Sequence, residues 1–377
     1  MKGGVELAKV FGWSNAAGGV HHYRIREPLR GLSILGHETK TLPAANASIF
    51  EQWDAVIVRG LHHPKNSLLW QWAAETGQRA LRVYDLDDDI WAWKPGSKED
   101  LYWTDERRLR VELNIQAADL VTTPTASLAR LLAELNPRVA VLPNTIPEQL
   151  LRLSTPNSER FVIGWQGAEQ HVNDLQIILT PVLRFMLRHP DVEFHVWGPQ
   201  ALEEGFLPGL AERITVYPWV SSVWQHYYRL NMNIGLAPLD PMDTFNVTKS
   251  DIRLREYAAL GIPFIASDSD AYTTTANAAR GMVVQSPEQW EEALEELYGD
   301  RDRREWMIEQ GRQRARLWTT ESNGIEWERA YERARNARDH RTEDGNPAGS
   351  ATFTADKSAS YSGNGDRAIH NVRTPIL

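Results

Sequence analysis

This sequence predicts an α/β protein built from two doubly wound, Rossmann-like domains facing across a cleft. Three observations predict it. Short apolar runs alternate with helical patterns along most of the chain. The alternation breaks once, near residue 150, and then restarts. The 377 residues are too many for one ordinary core. The expected divisions are 1–150, 151–320, a C-terminal helix over 321–339 and a disordered tail over 340–377.

In chain order, Val5 to Trp13 reads as a strand and Tyr23 to Leu35 as a helix. Ala55 to Val58 is strand-like, Ser67 to Glu75 helical, and Ala80 to Leu86 strand-like. Glu106 to Ala117 is helical, Leu120 to Thr123 a strand, Ser127 to Leu135 a helix and Val139 to Leu142 a strand. Turn chemistry follows in Leu142-Pro143-Asn144-Thr145 and Thr155-Pro156-Asn157-Ser158.

The second half opens with a strand over Phe161 to Trp165, a helix over Leu175 to Arg188 and a strand over Val192 to Trp197. Ile214 to Tyr217 is strand-like, Val223 to Leu230 helical and Ile234 to Ala237 a strand. Asp251 to Leu260 is a helix stopped by Gly261 and Pro263. Phe264 to Ser267 and Met282 to Val284 are strands, and helices follow over Pro287 to Leu297, Arg301 to Leu317 and Glu321 to Arg338. From Asn346 to Leu377 the chain is rich in Ser, Gly, Asn and Asp, which predicts an inert, disordered tail.

Composition excludes several classes. The chain has no cysteine, so disulfides, thiolate metal sites and cysteine nucleophiles are out, and a cytoplasmic location fits. A net charge of −9 argues against a globally basic nucleic-acid or membrane-surface protein. Met1 to Lys9 lacks the apolar core of a signal peptide, and no run approaches the roughly 18 apolar residues of a membrane span. Fifteen tryptophans, several in polar settings such as Trp91-Ala92-Trp93, suit either packing or sugar rings.

The segment from Phe245 to Pro263 carries the most chemistry. Ser250 or Asp251 can cap its helix, whose first-turn N–H groups and dipole favour an anion. Lys249 precedes the helix, Arg253 lies one turn in and Glu256 another turn on. Two cations followed by a carboxylate match a diphosphate followed by a ribose. Read as plain surface chemistry, Arg253 and Glu256 are an i,i+3 pair.

Elsewhere, Gly18-Gly19 after the first strand and Gly164-Trp165-Gln166-Gly167 after the first strand of the second half let a backbone approach a phosphate or sugar. Asp85-Leu86-Asp87-Asp88-Asp89 reads as a solvated cap, a cation site, or a place where Asp87 or Asp88 meets an acceptor. His171 and Asp174 form a polar pair too isolated for zinc.

The Phe245–Pro263 stretch resembles the donor-site signature of group 1 (family four) glycosyltransferases, in a variant that looks like a subgroup of bacterial polysaccharide clusters and phages. Asp119 to Thr125, Val141 to Asn144, Ile163 to Gly167 with His171 and Asp174, and Gly18 to Pro28 with Gly36-His37-Glu38 extend the likeness over residues 8 to 335.

The resemblance implies a GT-B fold and a nucleoside-diphosphate sugar donor with no metal cofactor required. It also implies retention of anomeric configuration, and it leaves the acceptor open among a glycan, lipid-linked, protein or modified-nucleotide acceptor. Glu256 matches the second Glu of the family's paired-Glu motif, which holds the donor ribose; Thr248 stands where the first Glu is expected. The family's Arg and Lys after the Ile163 strand are missing, so Lys249 and Arg253 are expected to take over the diphosphate charge. Gly18, Gly19, Gly167 and Ser250 complete the expected donor contacts. A first-domain histidine near the reacting sugar points to His62 or His63, with His21 and His22 competing, and Asp88 is the candidate for steering the acceptor. A sugar-nucleotide 2-epimerase of the same fold and a non-catalytic nucleotide-sugar or glycan-binding protein are the rival readings.

Overall fold

The computed structural model describes residues 8–14, 18–153, 159–198 and 210–343. The expected turn at Thr155–Ser158 and the expected tail over 346–377 lie outside the described residues.

Two six-stranded sheets, parallel throughout, form the frame. The first contains β1 (Lys9–Trp13), β2 (Glu38–Leu42), β3 (Ala55–Arg59), β4 (Leu81–Asp85), β5 (Leu120–Thr123) and β6 (Val139–Val141), in the order β2-β1-β3-β4-β5-β6. The second contains β7 (Phe161–Gln166), β8 (Val192–Gly198), β9 (Ile214–Pro218), β10 (Ile234–Ala237), β11 (Phe264–Ser267) and β12 (Met282–Val284). Its order is β12-β11-β10-β7-β8-β9. Buried apolar clusters line both faces of each sheet, as helices on both sides require. This is the GT-B arrangement.

Three of the elements that escaped the sequence pattern did so for one reason. Strand β2 reads Glu-Thr-Lys-Thr-Leu on an exposed edge. The helices Lys98–Tyr102 and Thr273–Ala279 carry no apolar stripe, the latter being Thr, Ala and Asn throughout. None of them presents the periodic hydrophobic face that the alternation argument depends on.

The first helical run, residues 19–34, is broken by a π-helical turn at His22–Arg26 before α1 (Glu27–Ile34). His22, Tyr23, Arg24 and Ile25 are all buried. Residues 22–26 thus turn more widely than an α-helix just where the run reaches the cleft.

The chain crosses between the domains twice, side by side. Ile146 N donates to Trp318 O (3.1 Å) and Thr320 N returns a bond to Ile146 O (2.8 Å). The last helix, here α4 (Thr320–Glu343), then packs back on the first domain, placing Trp327, Ala330, Tyr331 and Ala334 against Val10, Ile25, Leu29 and Leu32. It runs to Glu343, past the boundary at 340 expected from composition. Its contact with α1 is glycine to glycine, since a Cβ on Gly31 would lie 2.9 Å from the Gly324 Cα. Gly324→Leu is therefore expected to push α4 off the first domain and to cost about 1–3 kcal/mol. A urea titration checks this; an unchanged midpoint would refute the packing argument.

Candidate functional site

In a doubly wound sheet, ligands bind at the carboxyl ends of strands where the strand order reverses. In the second sheet that point lies between β7 and β10, flanked by the loops Gly167–His171 and Pro238–Lys249. In the first it lies between β1 and β3. A cleft of about 230 Å³ opens between the two.

The second-domain wall is organised by α2 (Val172–Arg188) and α3 (Ile252–Leu260). No side chain caps α3. This departs from the expected cap: Ser250 Oγ accepts from Asn144 Nδ2 (3.0 Å) and the Asp251 carboxylate holds Arg255 (2.8 and 2.9 Å). The positive end of the helix dipole therefore meets the cleft without a side-chain cap.

Arg253 is buried, lines the cleft and lies over the Trp165 ring at 5.4 Å. Its Nη1 has no hydrogen-bond partner among the described residues. A buried guanidinium with an unmatched N–H lacks a hydrogen-bond partner that an anion in the cleft could supply. Gly167 is what allows this, because a Cβ there would overlap the Trp165 ring and come within 3.1 Å of Arg253 Nη2. The i,i+3 pair of Arg253 with Glu256 does not form; Glu256 has other partners.

Lys249 Nζ lies 3.8 Å from the Phe245 ring centroid and 2.8 Å from Asp88 Oδ1 of the first domain. Glu256 is buried. It accepts from Gln166 Nε2 (2.8 Å) and from the Tyr23 hydroxyl, which also meets the Tyr227 hydroxyl. Gln166 Oε1 in turn takes a hydrogen bond from His226 Nε2. Burial pushes the Glu256 carboxyl up to about 7, against the opposing pull of Tyr23, Arg253 and Gln166.

The acidic run at the end of β4 is divided among separate partners. Asp85 is paired with Arg24 (2.6 Å) and Asp87 with Arg59 (2.5 Å). Asp88 holds Lys249, and Asp89 accepts from the Trp91 N–H (3.0 Å). Burial pushes Asp87 up despite Arg59. Burial acts on Asp88 in the same sense, but the Lys249 ammonium holds it below the usual carboxylate value. Among the described residues no group of three His, Asp or Glu side chains is placed to hold a metal ion.

Of the residues singled out from sequence, Gly19, Asp88, Gly167, Lys249, Ser250, Arg253 and Glu256 share the cleft lining. Gly18 sits at its mouth, 3.5 Å by its would-be Cβ from the cleft-lining Trp219. The structure does not bring His62 and His63 to the lining. The His62 ring is fixed by the Gly60 carbonyl (2.6 Å) and the Tyr102 hydroxyl (2.8 Å), and His63 is exposed at the start of the helix Pro64–Glu75. The histidines that line the cleft, His171 and His226, come from the second domain. Sequence reasoning gave no site role to Tyr23, Gln166 or His226. The first two lie inside stretches already marked by their glycines, whereas His226 sits in an ordinary helical pattern with no local signal.

Comparisons with known proteins support the fold. Residues 179–323 match a protein-family profile described as "Glycosyl transferase-like". No curated protein matches the chain in sequence. Among solved structures, a sucrose-phosphate synthase from Thermosynechococcus elongatus aligns at TM-score 0.60 and 12% identity, over 88% of this chain and 100% of that one. A glycosyltransferase from Rickettsia africae aligns at TM-score 0.59 and 13% identity, over 87% of this chain and 99% of the other. The catalytic domain of starch synthase IV from Arabidopsis thaliana, bound to ADP and acarbose, aligns at TM-score 0.55 and 11% identity, over 88% and 100%.

Proposed function

We propose that the protein is a glycosyltransferase that moves a sugar from a nucleoside-diphosphate donor to an acceptor hydroxyl, with retention of configuration. The observation that carries this reading is α3: an uncapped helix start, Lys249, the unmatched Arg253 guanidinium and the buried Glu256 carboxylate succeed one another along one wall of an interdomain cleft. The glycosyl transferase-like profile over residues 179–323 covers that wall, and the ADP named with the starch synthase is a nucleoside diphosphate.

In this reading Lys249, Arg253 and the α3 dipole hold the diphosphate, Glu256 takes the ribose hydroxyls, and Gly18, Gly19, Gly167 and Ser250 let donor and backbone come close. As the anomeric C–O bond breaks, its electron pair goes to the phosphate, where preorganised cations stabilise it. The acceptor hydroxyl adds to the anomeric carbon and gives up its proton to the departing phosphate oxygen. Asp88, on the first-domain wall, steers that hydroxyl once the diphosphate has taken over Lys249. His62 and His63 have no part in it. No metal cofactor is assigned. No helix of the described residues is long and apolar enough to cross a membrane, and a cytoplasmic site of action goes with this reading.

A thermal-shift panel of UDP-, GDP-, ADP- and dTDP-sugars tests it. One donor class is expected to raise the unfolding midpoint in proportion to the logarithm of its excess over Kd, with or without EDTA. No shift with any of the four, or a shift abolished by EDTA, would overturn the reading as written.

A further inference from the structure

The most informative feature outside that assignment is the ring of His171. It follows Gly167 on the β7 loop, stands immediately before α2, and lines the cleft beside Lys249 and Arg253. Its Nδ1 is 2.8 Å from Asp174 Oδ2. Asp174 is fixed from its other oxygen, Oδ1, which accepts from Asp240 N (2.8 Å) and Asn246 Nδ2 (2.6 Å). The Asp174 carboxyl is itself held below its ordinary value: burial opposes this, but the His171 bond and the Asp240 N–H outweigh it. An ionised carboxylate can only accept, so Nδ1 must carry the proton of this bond.

The only hydrogen bond of the ring to a described residue is this one at Nδ1, which leaves the opposite nitrogen, Nε2, without a partner among the described residues. In the neutral ring it carries a lone pair, on a ring that lines the same cleft as Arg253, whose Nη1 is unmatched. Two neighbouring features thus ask for opposite ligands: a guanidinium asks for an anion, and a lone pair repels one. Protonation of Nε2 resolves the conflict. It turns the ring into a second cationic donor, with Asp174 already in place to stabilise the imidazolium.

Resting on the donor-site reading above, we propose that His171 is a proton-coupled diphosphate-binding residue. Its ring binds the nucleotide doubly protonated, with Nδ1–H on Asp174 and Nε2–H on a phosphate oxygen, so that binding draws a proton from solvent. The charged groups facing the ring agree with this sequence of events. Asp174 on α2 favours the cation, as does Asp88 across the cleft, whose own charge is held by Lys249. Asp240, on the loop after β10, reaches the pair through its backbone N–H. Lys249 and Arg253 disfavour the cation, and together with burial, the largest cause, they push the ring down to about 4. A diphosphate cancels those two positive fields and adds negative charge, reversing the balance at the moment it binds.

This gives the chain a physical replacement for the basic residues that the loop after β7 lacks. The replacement is conditional: the charge is present when the anion is present.

The test uses the full chain and calorimetric titration with UDP, GDP, ADP and dTDP in buffers of different ionisation enthalpy, at pH 6.5 to 8.5. For the nucleotide that binds, wild type is expected to take up more protons than His171→Gln, by up to one per site. Glu256 titrates in the same range, but its contribution is common to both proteins and cancels in the difference. His171→Ala is expected to weaken binding about tenfold near pH 7. Glutamine, a neutral donor, restores part of that loss, and the wild-type advantage over it shrinks as pH rises. Equal proton counts in wild type and His171→Gln overturn the role of His171 alone. An unchanged diphosphate affinity in His171→Ala combined with weaker nucleotide-sugar binding also overturns it, since Nε2 would then accept from a sugar hydroxyl. If none of the four nucleotides binds wild type, the donor-site reading and this inference fail together. The unfolding midpoint of each variant shows that the comparison is between folded proteins.

Discussion

Asp85→Ala is expected to lose about 3–5 kcal/mol of stability in the first domain, the largest effect foreseen outside the cleft. Asp85 and Arg24 are both buried and are bonded through three contacts of 2.6 to 3.2 Å. Thr122 Oγ1 donates to the same carboxylate at 2.6 Å. Arg24 Nη1 goes on to Leu142 O (2.7 Å) and Asn144 Oδ1 (3.0 Å), so one guanidinium ties the π-helical turn, β4 and the crossover to the second domain. Removing the carboxylate leaves that charge buried without its counter-ion. The pair itself need not be a net stabiliser, and a double change of Arg24→Met with Asp85→Leu is expected to recover most of the loss. Chemical unfolding followed by tryptophan fluorescence and circular dichroism, with the two domains treated as separate transitions, checks both statements. A single variant within 1 kcal/mol of wild type would show the pair to be dispensable.

Glu256→Ala is expected to lower kcat/KM for the nucleotide-sugar donor at least about 100-fold, because the proposed ribose contacts are two hydrogen bonds to a charged group. Glu256→Gln separates charge from shape. The folded chain holds the Glu256 carboxyl at about 7, above its ordinary 4.5, because burial disfavours the anion. A carboxyl raised in this way favours the folded state most below pH 4.5, and that contribution is gone once pH has risen through about 7. The stability of Glu256→Gln relative to wild type should therefore increase by about 3 kcal/mol between pH 4.5 and 7.5.

The wild-type curve alone does not display this. His22, His171 and His226 are pushed down to about 4, chiefly by burial, and they lower stability as pH falls below 6.5. The difference between the two proteins cancels those histidines. A flat difference across that range would mean that Glu256 is ionised throughout. Full turnover by Glu256→Ala would end the assignment of the ribose to this carboxylate.

How far the site was legible differs from residue to residue. Lys249, Arg253 and Glu256 could be grouped from sequence because Arg253 and Glu256 lie along a single helix and Lys249 stands just before it, where spacing in sequence is spacing in space. Gly167 was found because strand ends in this fold class have a predictable chemistry. Tyr23 and Gln166 are brought to Glu256 from 233 and 90 residues away, and no local pattern announces such partners. His62 illustrates the converse. It sits at the carboxyl end of a strand, where a functional residue is expected, yet Gly60 and Tyr102 turn its ring to other work.

The sequence by itself determined the two-sheet architecture, the break near residue 150 and the α3 cation–carboxylate series, because each is written in periodicities of a few residues. Only the tertiary structure decided which charges are spent and which are left over. It matched Asp88 to Lys249 across the cleft, shared Glu256 with Tyr23 and Gln166, and left Arg253 without a hydrogen-bond partner for one of its buried nitrogens. The reason is physical. Burial and pairing set the free energy of a charged group, and both depend on neighbours that the chain supplies from distant segments.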